Sequence, residues 1–186
     1  MDLTTVYERG LAATGRVVDG VKPEQLRNPT PCPDWDVRLL LHHVIGANWM
    51  FAGVAAGGTM DPSGDMPELT ALEPSAVYAE SAAAVLDAWR QPGALERRCH
   101  LSFGDMPARA TMAIHFLDTL VHGWDLATAT GQDTTLDPEL AGAGMVIAEG
   151  MISDALRSTG AFGPAVPWAD DAPVGERLLA FTGRRP

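Results

Sequence analysis

The stretch Asp36-Val37-Arg38-Leu39-Leu40-Leu41-His42-His43-Val44-Ile45-Gly46-Ala47-Asn48-Trp49-Met50-Phe51-Ala52 carries the clearest fold signal in the chain. Val37, Leu40, Leu41, Val44, Ile45, Asn48, Phe51 and Ala52 recur at three- and four-residue steps, which lays them along one face of an α-helix. Asp36 is placed to cap the free amides of the first turn, and Gly57-Gly58 ends the pattern. A helix this long with one apolar face must bury that face against other elements.

Working outward, the chain offers mainly helices to do so. Leu3, Val6, Leu11, Val17, Val18 and Val21 describe an earlier amphipathic helix that gives out before Pro23. Between the two lies Asn28-Pro29-Thr30-Pro31-Cys32-Pro33-Asp34-Trp35-Asp36, whose alternating prolines forbid helix, and whose tryptophan suggests an ordered loop. Residues 59 to 73, rich in Pro, Gly and Asp, read as a surface loop. Pro74 opens a third helix with Val77, Ala84, Val85, Ala88 and Trp89, ended by Pro92-Gly93. Leu95, Cys99, Leu101 and Phe103 then alternate as a short extended segment. Asp105 and Pro107 signal the start of a fourth helix running to Gly131, and Asp137-Pro138-Glu139 starts a fifth that ends at Gly160. The tail, residues 161–186, holds Pro164, Pro167 and Pro173 and is expected to wrap the bundle in extended form, with a helical turn at Glu176 to Ala180. The expectation is a single all-α domain, 1–186: an up-and-down four-helix bundle with an extra helix and an extended tail.

Composition agrees and excludes several roles. The 186 residues are 46% hydrophobic, 20% charged and only 6% aromatic, which suits a helical globular domain. Lys and Arg number 13 against 24 Asp and Glu, a net charge of −11, so a nucleic-acid partner and an anionic membrane surface are excluded on charge. Two cysteines, Cys32 and Cys99, make neither a disulfide framework nor a CxxC pair, which points to the reducing cytoplasm. The opening Met1-Asp2-Leu3-Thr4-Thr5 has no signal-peptide character, and no apolar run approaches the ~18 residues that a membrane span needs. Both cysteines read as packing residues, as do Trp49, Trp89 and Trp124, and His100 reads as facing solvent.

Chemistry concentrates in the fourth helix. His115, Asp118, His122 and Asp125 are spaced three, four and three apart, which lines them along one face. Asp118 and His122, at i and i+4, can bring a carboxylate oxygen and an imidazole nitrogen to one ion. The same spacing equally suits a surface ion pair or a buried hydrogen bond. A third ligand would have to come from another helix, and the adjacent His42 and His43 are the candidates. At about 100° per residue both lie off the apolar stripe, on opposite sides, so periodicity does not choose between them.

These residues also carry a family resemblance. Thr30-Pro31-Cys32-Pro33-Asp34-Trp35-Asp36-Val37-Arg38 with Leu40-Leu41 and His43-Val44 resembles the loop and second-helix signature of the mycothiol-dependent maleylpyruvate isomerase N-terminal family, within the DinB-like superfamily. Asp118-Thr119-Leu120-Val121-His122-Gly123-Trp124-Asp125-Leu126-Ala127 resembles the second signature, and the ending Leu178 to Pro186 resembles a short actinobacterial branch described as metal-binding. The resemblance implies a DinB-like four-helix bundle with a divalent ion, zinc or nickel, held by His43, Asp118 and His122. Asp118 stands where relatives place Glu or His, and His115 matches no family ligand; a supporting role behind the ligands is the expectation for it.

By the same resemblance the expected function is a metal-dependent thiol S-transferase or isomerase, in which the ion activates the low-molecular-weight thiol mycothiol against an electrophile. The alternative is a non-catalytic protein that holds a metal or a thiol. Helical bundles of the superfamily often pair, which implies a homodimer. The isomerase is expected to carry a further C-terminal domain beyond its bundle, which this chain would lack, and that weighs against the isomerase reaction itself. Any reacting thiol is expected to arrive as substrate, because neither cysteine is placed as a nucleophile.

Overall fold

The structure, a computed structural model, describes residues 2–59, 73–102, 104–158, 160 and 162–186. The loop expected between residues 59 and 73 therefore lies almost wholly outside the described residues, as does Phe103. The chain divides into two compact units, Met1–Gln132 and Asp133–Pro186.

The first unit is built on four helices: α1 (Leu3–Asp19), α2 (Val37–Ala55), α3 (Pro74–Trp89) and α4 (Ala108–Thr130). α1 packs on α3 and α4, and α2 packs on the same two, so the order around the bundle is α1, α3, α2, α4. Consecutive helices α1 and α2 thus stand diagonally, which the long connection from Gly20 to Asp36 permits. Its backbone is tied down by a 3₁₀ turn at Pro23–Gln25 and by amides of Val37 and Arg38 that donate to Asn28 and Leu26 carbonyls. Val37, Leu40, Leu41, Val44 and Ile45 of α2 fill the core against Val18, Val77, Tyr78 and Leu126. That is the stripe read from sequence, buried as a dense apolar seam.

Helix ends follow local chemistry. Asp2 accepts from the amides of Thr4 and Thr5, and Asp36 accepts from Leu39 at 2.9 Å. α4 closes at Gly131, whose φ of 67° lies in the left-handed region. α1 and α4 approach closely: a Cβ on Gly10 would lie 2.8 Å from Phe116, and one on Gly123 would lie 2.5 Å from Thr14 Oγ1.

Several boundaries depart from the sequence reading, beginning with Leu95, which is expected in the extended segment but lies in a 3₁₀ turn at Ala94–Glu96. Asp105 and Pro107 do not open α4 as expected; Gly104–Pro107 form a strand, β2, antiparallel to β1 (Arg98–Leu101), and α4 begins only at Ala108. The carboxylate of Asp105 faces His100 across the hairpin at 2.8 Å instead of capping a helix. His100 is exposed, as expected, while Cys99 is buried on the core side of β1. Trp89 and Trp124 are buried as packing residues and Trp49 lies against the α2 core.

The second unit holds α5 (Pro138–Met151), α6 (Asp154–Arg157) and α7 (Val174–Phe181). The fifth helix stops at Met151, short of Gly160, because Ile152 turns extended and Ser153 Oγ accepts from the Leu156 amide to start α6. From Phe162 to Pro173 the tail has no helix or strand and is broken by a turn in which the Ala172 amide donates to the Ala169 carbonyl at 3.0 Å; it is then helical for longer than the single turn expected at Glu176 to Ala180. α5 packs on α7, and the Arg157 guanidinium lies over the Phe181 ring at 4.9 Å. Among the described residues the fold is all-α apart from the small hairpin. Among the described residues no helix is long and apolar enough to cross a membrane.

Candidate metal centre

α2 and α4 pack side by side, and their facing polar positions converge. His43 Nε2 lies 3.4 Å from both carboxylate oxygens of Asp118, and His122 Nε2 lies 3.4 Å from Asp118 Oδ1. Ligand-capable atoms of His43, Asp118 and His122 all lie within 4.8 Å of one another. His43 and Asp118 keep about a third of their side chains exposed, 34% and 29%, whereas His122 keeps 12%. The group is therefore walled by protein on the His122 side and open beside His43. His42, on the neighbouring helical position, belongs to neither of the two ligand-capable groups found among the described residues.

Electrostatics tighten the group. Burial works against charge on His122, but the Asp118 carboxylate and hydrogen bonds to Asp118, Asp125 and Cys32 outweigh it, holding the imidazole pKa well above its ordinary value. Burial likewise opposes charge on Asp118. The two imidazoles prevail there and keep its carboxyl well below the usual range. Two imidazole nitrogens and an ionised carboxylate thus share one small volume.

Sequence reasoning missed the surroundings of these three residues. The proline-rich loop forms a wall of the site: the Trp35 ring lies 4.6 Å from the His43 ring and 5.7 Å from that of His122. Thr30 Oγ1 holds the loop by reaching the carbonyls of Cys32 at 3.1 Å and Trp35 at 2.8 Å. Cys32, expected to be a packing residue, instead places Sγ 3.4 Å from Asp125 Oδ2 and 3.9 Å from His122 Nδ1. Asp125, fully buried, accepts from His122 Nδ1 at 2.9 Å. The signal for Asp125 was its position three residues after His122 on the same face. No local signal placed Cys32, which is separated from it by 93 positions.

His115 lies deeper on the same face. Its ring is fully buried, stacks on Phe51 at 4.2 Å, and its Nδ1 lies 2.7 Å from the Tyr7 hydroxyl. It belongs to neither ligand-capable group. Burial, opposed in part by Asp118, pushes its pKa down to about 4, so it is neutral at physiological pH.

Bundle, loop signature and paired helix motif define a class. The chain belongs to the mycothiol maleylpyruvate isomerase N-terminal domain family, whose model matches residues 7–127. Among individual proteins it is 32% identical over 190 residues to an uncharacterized protein of Mycobacterium tuberculosis, found alike in strains CDC 1551 / Oshkosh and ATCC 25618 / H37Rv. That alignment spans 99% of this chain and 98% of theirs. Its fold is also similar to the crystal structure of the mycothiol-dependent maleylpyruvate isomerase and to that of a histidine-to-alanine mutant of it. Both match with a TM-score of 0.71 and 18% identity, covering 100% of this chain and 90% of that one. The expectation from length is thereby corrected: the fold match extends over nine tenths of that chain and leaves no further domain beyond the matched length.

Proposed function

We propose that this chain binds one divalent ion through His43, Asp118 and His122 and uses it to present a small thiol, mycothiol, to an electrophile, as a thiol S-transferase or isomerase. The observation that carries the reading is the 3.4 Å spacing of each imidazole Nε2 from the Asp118 carboxylate, with the ligand-capable atoms of all three residues within 4.8 Å of one another. A tetrahedral sphere with bonds of about 2.0–2.1 Å to nitrogen and oxygen has edges of about 3.3–3.4 Å, longer than an ordinary N–H···O hydrogen bond of about 2.9 Å. Three protein ligands would leave a position open, the pattern of catalytic rather than structural sites. When bound, the ion would supply positive charge that lowers the pKa of a thiol or water beside it.

The chain's own residues do the rest. The exposure of His43 and Asp118 supports approach of the substrate from their side. Trp35 packs its ring beside both imidazoles, which supports a role in holding their orientation. Cys32 stands on the Nδ1 side of His122, away from the nitrogen that faces Asp118, which supports a thiol that arrives as substrate. Family membership and the name of the isomerase relative support mycothiol as that thiol.

Elemental analysis of the purified chain and of His122→Ala, paired with assays on mycothiol plus a panel of electrophiles that includes maleylpyruvate, tests this. The expected result is about one divalent ion per wild-type chain, conjugate or isomer formed, and both lost in the variant. Negligible metal in both proteins would overturn the reading. Bound metal with no thiol chemistry, and a cobalt spectrum indifferent to added thiol, would favour a non-catalytic metal-holding protein.

A further inference from the structure

The atoms around the His122 ring fall into two sets with different spacing. On the Nε2 side the nearest partner, Asp118 Oδ1, is 3.4 Å away, and His43 Nε2 is another 3.4 Å from that oxygen. On the Nδ1 side Asp125 Oδ2 closes to 2.9 Å. Cys32, His122 and Asp125 also form a group able to hold a metal by proximity alone. The 2.9 Å contact argues otherwise, because it is the length of a hydrogen bond and shorter than the edge of about 3.3 Å between two ligands of one ion. One face of the imidazole is spread to ligand spacing and the other is closed by a hydrogen bond.

We propose that Asp125, with the Cys32 thiol donating to the same carboxylate oxygen, is the positioning residue that keeps a proton on His122 Nδ1 and aims Nε2 at the position shared with His43 and Asp118. This rests on the metal reading above. The parts suit the task. Asp125 is buried and, at i+3 on α4, meets the ring from the same helix face, so its carboxylate fixes both tautomer and ring rotation. The S–H of Cys32 is a weak donor at 3.4 Å, delivered by the Thr30-pinned loop that also seats Trp35 on the ligands. One loop thus braces both faces of the site: Trp35 against the rings, Cys32 behind the carboxylate. A carboxylate behind a ligating imidazole typically improves metal affinity ten- to hundredfold.

Cobalt(II) titration of the full chain tests this, read by visible absorption and by competition with a chelator, beside thermal melts of the metal-free proteins. Wild type is expected to take up one cobalt. Asp125→Asn, close in volume but neutral and able to donate to Nδ1, is expected to bind it ten- to hundredfold more weakly with an altered spectrum. Cys32→Ser, which keeps a donor, is expected to bind nearer to wild type than Cys32→Ala. Nitrogen NMR of the zinc-loaded wild type should show the His122 proton on Nδ1, and this decides the matter if Asp125→Asn does not fold. Wild-type cobalt affinity and spectrum in Asp125→Asn would overturn the inference alone. So would a second cobalt with a thiolate-to-cobalt band that Cys32→Ser abolishes, because Cys32 would then be a ligand. A wild-type chain that takes up no cobalt would overturn the metal reading and this inference with it.

Discussion

The Tyr7 hydroxyl and His115 Nδ1 meet at 2.7 Å inside the bundle, a polar contact that joins α1 to α4 where neither group reaches water. Burial lowers the His115 pKa to about 4, whereas an unfolded chain titrates its histidines near 6.5. Above pH 6.5 both states are neutral at this position, and the contribution is fully present. As pH falls from 6.5 towards 4 the unfolded state takes up a proton that the folded state refuses, so stability drops by up to about 3 kcal/mol. Urea unfolding of metal-free protein between pH 7 and 4 should show this loss in wild type and a correspondingly flatter dependence in His115→Phe. Parallel curves would mean that His115 is charged in the fold.

Metal should hold helices together as well as serve chemistry. His43 lies on α2, and Asp118 and His122 lie on α4, so an ion bound to all three ties the two elements. Zinc at a hundredfold excess over its Kd should add about 2.7 kcal/mol, a rise in Tm of about 5–10 °C reversed by chelator. His43→Ala should lose most of that rise. An unchanged Tm at verified full occupancy would show an ion that does not bridge the helices.

Trp35 offers an optical report. Its ring, 4.6 Å from His43, is in direct contact with a proposed ligand, whereas Trp89 is buried in the core. Cobalt or nickel bound at the three residues should quench tryptophan emission, and Trp35→Phe should abolish most of the quench without changing metal stoichiometry. Equal quenching in the variant would place the ion elsewhere.

The contact between α1 and α4 is set by glycine. A methyl at position 123 would fall 2.5 Å from Thr14 Oγ1, whose hydroxyl donates to the Thr119 carbonyl at 3.0 Å. Gly123→Ala should cost about 1–3 kcal/mol in urea unfolding, and Thr14→Ala in the same chain should restore part of it. An unaffected Gly123→Ala protein would mean that the helices separate freely there.

Most of the fold was legible because helix formation is written in local spacing. The α2 stripe, the Asp36 and Asp137 caps and the Gly131 stop each depend on residues within a turn or two, and each stands where the pattern put it. The errors fell where distant partners compete with local signals. Asp105 has the character of a helix cap, yet pairing with the strand that carries His100 draws it into a hairpin. The fifth helix carries Gly150 beside Met151, but an isolated glycine is tolerated within a helix, and the stop there depends on Ser153 starting a new turn.

The candidate site divides along the same line. Sequence by itself determined that His115, Asp118, His122 and Asp125 share one helix face, because a 3.6-residue period leaves no other arrangement. It left His42 and His43 equivalent by periodicity, and only the family signature favoured His43. Packing of α4 against α2 decides which imidazole stands 3.4 Å from Asp118. Only the tertiary structure brings Cys32 and Trp35 to the site, from a loop about ninety residues away, and separates the two faces of His122 into ligand spacing and hydrogen bond. The reason is physical: local periodicity selects the face of a helix, but which groups meet across that face depends on how the buried apolar stripes of different helices fit together.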